Sequence, residues 1–216
     1  SIQSIRERLG FVNTPLSVFE QSAWHGSPYV FDRFDLGAIG TGAGAQAHGW
    51  GLYFAKNQEA AEGYKNDNGG LYEADIPDDD VLLDEQKPFT EQPPKVKKGL
   101  WELIEHLSIE QLENWDDVRR IGKAKVIAKI KQSLAESDGM NIYGSLVDLV
   151  EGYKEASLLL NKYGIKGITY EESNAGRGFV IFDDKAISII ERYNQEAANA
   201  QMAAERLQED AKAWKE

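Results

Sequence analysis

The sequence contains no cysteine, which excludes disulfides, thiolate nucleophiles and cysteine-ligated zinc. Histidine is scarce too: His25, His48 and His106 have no spacing that suits a metal site, and no metal is expected. Long apolar runs are missing. "SLLL" at 157–160 falls far short of the roughly 20 residues that cross a bilayer, and residues 1–20 lack the profile of a signal peptide. No membrane partner is expected. Basic charge is in deficit, with 24 Lys and Arg against 36 Asp and Glu and a net charge of −12, which argues against general nucleic-acid binding by counterion release. The basic clusters "KVKKG" (95–99) and "RRIGKAK" (119–125) read as solvated helix faces or ends. A cysteine-free acidic chain fits the cytoplasm, the expected location.

What is present describes a globular protein: 42% hydrophobic and 10% aromatic residues in 216, a length that suits one domain. The first block, 1–85, mixes a short amphipathic start (Ile2, Ile5, Leu9) with strand-like pieces, "GLYFA" and "GLYEADI". From about 98 to 162 helical periodicity takes over, with Leu100, Leu103, Ile104 and Leu107 on one face and Ser108 and Gln111 as a capping box for a further helix. "KPFTEQPPK" (87–95) supplies breakers before these helices, and "ESDGMNIYG" (136–144) is expected to interrupt them. After Gly164, read as a helix C-cap, strands return in "GITYEE", "GFVIFDD" and "AISII". The fold class is therefore α+β, with a core domain over 1–190 and a helical insert at about 98–162. Residues 191–216, with a weak stripe of Ala197, Ala200, Ala204, Leu207 and Ala211, read as a C-terminal helix or connector.

Chemistry is sought in the first and last blocks. His25 stands in "WHGSP", where Gly26 lets backbone approach a ligand, although a His-Gly-Ser triplet by itself is an ordinary turn. "DLGAIGTGAGAQAHGWG" carries six glycines between 37 and 51 but matches neither the phosphate-loop nor the dinucleotide pattern, and reads equally as ligand cradle or surface loop. Tyr53, at a strand end, and Tyr64, eleven residues on, follow one another across a short helix capped by Asn57. Two such rings can face each other across a slot floored by Gly26, Gly49 and Gly51, which suits a flat, amide-bearing ring. Phe54, in the same strand, reads as core. His48 reads as a loop residue.

These residues carry a resemblance. "WHGSP", "GWGLYFA", the tyrosine eleven positions on and the late strand "GFVIFDD" resemble the ADP-ribosyltransferases of the poly(ADP-ribose) polymerase and diphtheria-toxin class. Residues 25–64 are most similar to the ADP-ribosyltransferase-like domains of phage polyvalent proteins. The resemblance spans about 23–75 and 164–190, and implies a split β-sheet core.

The resemblance further implies NAD as co-substrate and no metal. His25 would hydrogen-bond the adenine-side ribose, Gly26 would hold the carboxamide, and Tyr53 and Tyr64 would sandwich nicotinamide. Ser27 would support the turn and reach the ribose; Gly51 belongs to the floor; His25 and Tyr53 are the catalytic candidates. Two positions depart from the class. Ala61 replaces a serine that binds the carboxamide, and Gly178 replaces the glutamate of chain-elongating relatives, leaving Glu171, Glu172, Asn174 and Asp183 as candidate substitutes. The implied function is mono-ADP-ribosylation of an unknown macromolecular acceptor, as a phage-encoded effector in the host bacterial cytoplasm. The alternatives are an inactive module that binds NAD or ADP-ribose or docks proteins, and a phosphotransferase that uses a related fold but for which the sequence lacks an arginine-rich groove.

Overall fold

The computed structural model describes residues 21–40, 46–107, 116–173 and 175–194. The amphipathic start, the capping box at Ser108, Asn174 and the C-terminal stripe lie outside them.

The described residues form a seven-stranded sheet in the order β4-β5-β6-β2-β1-β3-β7. The strands are β1 (Gln21–Ser27), β2 (Leu52–Ala55), β3 (Gly70–Ile76), β4 (Leu82–Asp84), β5 (Gly167–Glu172), β6 (Gly176–Ile181) and β7 (Ser188–Asn194). All neighbours are antiparallel except β4 and β5. The sheet is an α+β core, as the sequence implies.

Period-two alternation sorts its side chains. Along β6 and the residue that follows it, Phe179 and Ile181 join Leu52, Phe54, Tyr72 and Ile76 on one face, while Val180 and Phe182 join Ile168 and Tyr170 on the other. That second face is covered by helices. A five-residue helix, α1 (Gln58–Glu62), lies near the sheet's centre. Then come α2 (Pro94–His106), α3 (Asp116–Ile121), α4 (Lys123–Ala135), α5 (Gly139–Val150) and α6 (Tyr153–Lys162). Val96, Leu100, Leu103, Ile104 and Leu107 are all buried, so the periodicity read from the sequence is the face that packs. Burying each such side chain contributes about 1.5–3 kcal/mol.

Two boundaries need correction. α2 begins earlier than 98, because Pro94 sits at its first position, where a missing N–H costs nothing. The expected interruption is present but confined to 136–138, between the end of α4 at Ala135 and the start of α5 at Gly139, where the Asp138 carboxylate accepts from Asn141 N and caps the new helix. Gly164, with φ +83°, does take the left-handed conformation that closes α6.

Candidate active site

β1 is paired with β3 along its whole length, yet its registered partner in β2 is a single rung, Trp24 with Ala55. The sheet therefore splits beyond that rung. The opening is a cavity of about 820 Å³, a size that suits a dinucleotide-scale ligand. His25, Gly26, Ser27, Gly51, Tyr53 and Tyr64 all line it, as do Phe34, Phe54, Tyr170 and Glu172.

His25 faces the Phe54 side of the sheet. Its ring meets Phe34 edge-on at 5.2 Å and lies 5.5 Å from Phe54 and 6.3 Å from Tyr72. Nδ1 is 2.7 Å from the Tyr53 carbonyl across the split. A carbonyl only accepts, so Nδ1 carries the proton and the neutral ring keeps Nε2 as an acceptor. Burial pushes the His25 pKa below its ordinary value of 6.5, against the opposing pull of the carbonyl. A lowered histidine pKa means that the unfolded chain takes up the proton first as pH falls. The stabilisation is present above about pH 6.5 and is lost as pH drops through the folded value. Denaturant unfolding between pH 7 and pH 5 should accordingly lose stability more steeply in the wild type than in His25→Gln; equal slopes would contradict this burial.

Tyr53 turns to the opposite face, and it is the second residue of β2 rather than its end. Its hydroxyl donates to Gly49 O (2.8 Å) and accepts from His48 N (3.0 Å), which fixes the ring, and burial raises its pKa. Gly26 shares this face, because Trp24 opposes Ala55 and the alternation then places Gly26 beside Tyr53. A Cβ on Gly26 would come within 1.8 Å of Ala61 O and 3.3 Å of Tyr64 Cβ, so α1 rests directly on β1. Tyr64 follows α1 and is 53% exposed, its ring free to cover a ligand. Ser27 is buried and its Oγ accepts from Tyr29 N, bracing the turn.

Gly49 does not belong to the cavity floor. It is packed against the Tyr143 ring instead, with φ +120°. Asn57 occupies the N-cap position of α1 without a side-chain cap bond; its amide lies beside Gly176.

Two lining groups, Tyr170 and His48, escaped the reading of motifs. Tyr170 crosses over Gly178, its partner in the β5–β6 ladder, and its raised pKa reflects burial first and then the charges of Glu172, Tyr53, Tyr64 and Glu85. His48 stacks on Tyr170, centroids 3.7 Å apart and planes at 7°. His48 Nδ1 contacts Glu85 Oε2 at 2.7 Å, and Nε2 lies 3.3 Å from Glu172 Oε1. Each ring nitrogen faces a carboxylate oxygen, and no group of His, Cys, Asp and Glu that could hold a metal ion occurs among the described residues. His106 is remote from this group; its Nδ1 contacts Glu102 O within α2.

Residues 15–196 match the family described as "ADP-Ribosyltransferase in polyvalent proteins". The chain belongs to this family. No curated protein matches it. Among solved structures it is similar to one titled "Crystal structure of an anti-CRISPR protein", at 16% identity, over 82% of this chain and 99% of the other, with a TM-score of 0.37.

The two positions at which the sequence departs from polymerase-type and chain-elongating relatives are both closely packed. Ala61 is buried against β1, where its carbonyl meets Gly26. At Gly178 a Cβ would stand 2.3 Å from the Tyr170 ring, so the ring fills the space that a glutamate would need. Of the candidate substitutes, Glu172 lines the cavity and shares the face of Tyr53 and Tyr170. Glu171 points to the opposite face, and Asp183 caps a 3-10 turn through Lys185 N. Asn174 is outside the described residues.

Proposed function

We propose that the protein is a mono-ADP-ribosyltransferase that uses NAD, acting as a phage-delivered effector on a macromolecule of the bacterial host. The observation that supports this reading best is the split-sheet cavity. It gathers an imidazole with a free acceptor nitrogen on one face and two tyrosines with a close-packed glycine on the other. Nicotinamide would stack between Tyr53 and Tyr64 with its carboxamide on the Gly26 backbone, and the adenine-side ribose would donate to His25 Nε2. Arg33 also lines the cavity and offers a cation to the diphosphate.

The reaction breaks the bond between nicotinamide nitrogen and ribose C1′. The electron pair leaves with nicotinamide, which becomes neutral, and an acceptor nucleophile bonds C1′ and gives up its proton. Holding the leaving ring rigidly lets the acceptor meet an oriented centre. Gly178 and Ala61 favour a second reading, a module that binds NAD or ADP-ribose without turning it over.

Labelled NAD with host lysate separates the two. Under the transferase reading, label transfer and nicotinamide release occur in the wild type and vanish in His25→Ala. Calorimetry should show Tyr64→Ala weakening NAD binding by about 1–3 kcal/mol, the worth of an aromatic stack and its buried area. Binding without release in the wild type would leave the silent module, and an unchanged dissociation constant would remove Tyr64 from the site.

A further inference from the structure

Gly178 raises the question of where the negative charge comes from that an oxocarbenium-like sugar requires. β5 and β6 offer an answer one rung further along. Tyr170 opposes Gly178 and Glu172 opposes Gly176, so Glu172 sits two residues from Tyr170 on the same face, about 7 Å along the strand. Its side chain is half exposed, lines the cavity and needs no backbone rearrangement to reach into it.

Two contacts aim this carboxylate. His48 approaches it at 3.3 Å and is itself held by Glu85 at 2.7 Å and by the stack on Tyr170 at 3.7 Å. Glu85 is buried, and its own backbone is tied to Thr169 and Met140. An imidazole N–H donates and a carboxylate oxygen accepts, and the ring of His48 lies between the two acids with one nitrogen toward each. The arrangement is a rigid carboxylate–imidazole pair that ends in a carboxylate facing the split.

We propose that Glu172 is the catalytic carboxylate of this chain, facing the nicotinamide-side ribose in place of the side chain that Gly178 lacks, with His48 and Glu85 as the positioning residues that hold it. The assignment rests on the transferase reading above. Glu172 sets its carboxylate against the C1′ cation as nicotinamide departs, and the acceptor approaches from the open side. The ring of Tyr170 does double duty, displacing any side chain from position 178 and giving His48 a flat surface to lie on.

The test uses nicotinamide release and calorimetric NAD binding on the full chain. Glu172→Gln should lower kcat about 100-fold and leave the NAD dissociation constant within about threefold, since the charge acts on the transition state more than on the bound ground state. Glu171→Gln, on the opposite face, should behave as wild type. His48→Gln should lower kcat about tenfold at unchanged KM, through misplacement of the carboxylate. Because His48 acts through Glu172, the double variant should be no slower than Glu172→Gln alone, a result that a merely structural histidine would not give.

A Glu172→Gln variant that turns over like wild type overturns the assignment and leaves the transferase reading intact, and multiplying losses in the double variant overturn the role of His48. Binding without turnover in the wild type overturns a catalytic carboxylate and leaves the binding module. A wild type that neither binds NAD nor releases nicotinamide overturns the transferase reading itself.

Discussion

Gly26→Ala should destabilise the protein by about 3 kcal/mol or more, at the upper end of what overpacking costs, and lower the melting temperature by about 10 °C. The new methyl would lie 1.8 Å from the Ala61 carbonyl. That neighbour is backbone, not the end of a flexible side chain, so relief requires α1 to lift off β1. Tyr64 follows α1 directly, and its Cβ is 3.3 Å from the same point. Lifting the helix therefore moves the cover of the cavity along with its floor. Thermal unfolding of Gly26→Ala beside Gly63→Ala is the measurement. A Cβ at Gly63 meets Ala60 O at 3.7 Å, ordinary contact, and should cost little. Similar losses in both would show that the close approach at Gly26 is not the reason for its glycine.

Gly178→Glu, which restores the residue of chain-elongating relatives, should destabilise rather than activate. The Cβ would stand 2.3 Å from the Tyr170 ring, 2.5 Å from its hydroxyl oxygen, and Gly178 is buried between Ala55 and Tyr170 in adjoining ladders. Overpacking costs about 1–3 kcal/mol, and a carboxylate placed without a partner among buried rings costs several more, for a total of about 4 kcal/mol. Displacing Tyr170 also removes the surface on which His48 lies. Chemical denaturation should show the loss, and nicotinamide release should fall rather than rise. A stable, more active Gly178→Glu would mean that the site tolerates two carboxylates and that Tyr170 moves freely.

The strands were the most legible part of the chain. β3 and β5 fall where alternation and flanking glycines place them, because β3 buries a full row on one face and β5 buries its first four residues. β4 was illegible: three residues carry no periodicity, and its register exists only through β5. Gly139 misled for a tertiary reason. A Cβ there would meet Asp84 O at 2.1 Å, so this glycine marks a close approach to β4 rather than a loop.

For the site, His25, Tyr53 and Tyr64 could be chosen because short motifs surround them. His48 and Glu85 could not, since 37 residues separate them and a carboxylate–imidazole pair needs no fixed spacing. Spacing along the chain says nothing of His48, whose ring lies between two acids from distant strands and turns. Asn57 holds the N-cap position of α1 yet makes no side-chain cap bond, and its amide lies beside Gly176.

The lone rung between Trp24 and Ala55 gives the protein an unusual mechanical character. The halves on either side are cohesive laminae, yet the backbone bonds between them amount to a hinge pin, reinforced by the imidazole of His25 reaching the Tyr53 carbonyl. A molecule lodged in the gap would touch both laminae at once and act as a clasp. Affinity and rigidity would then be two readings of one quantity, and whatever loosens the pin would be felt first as a weaker grip.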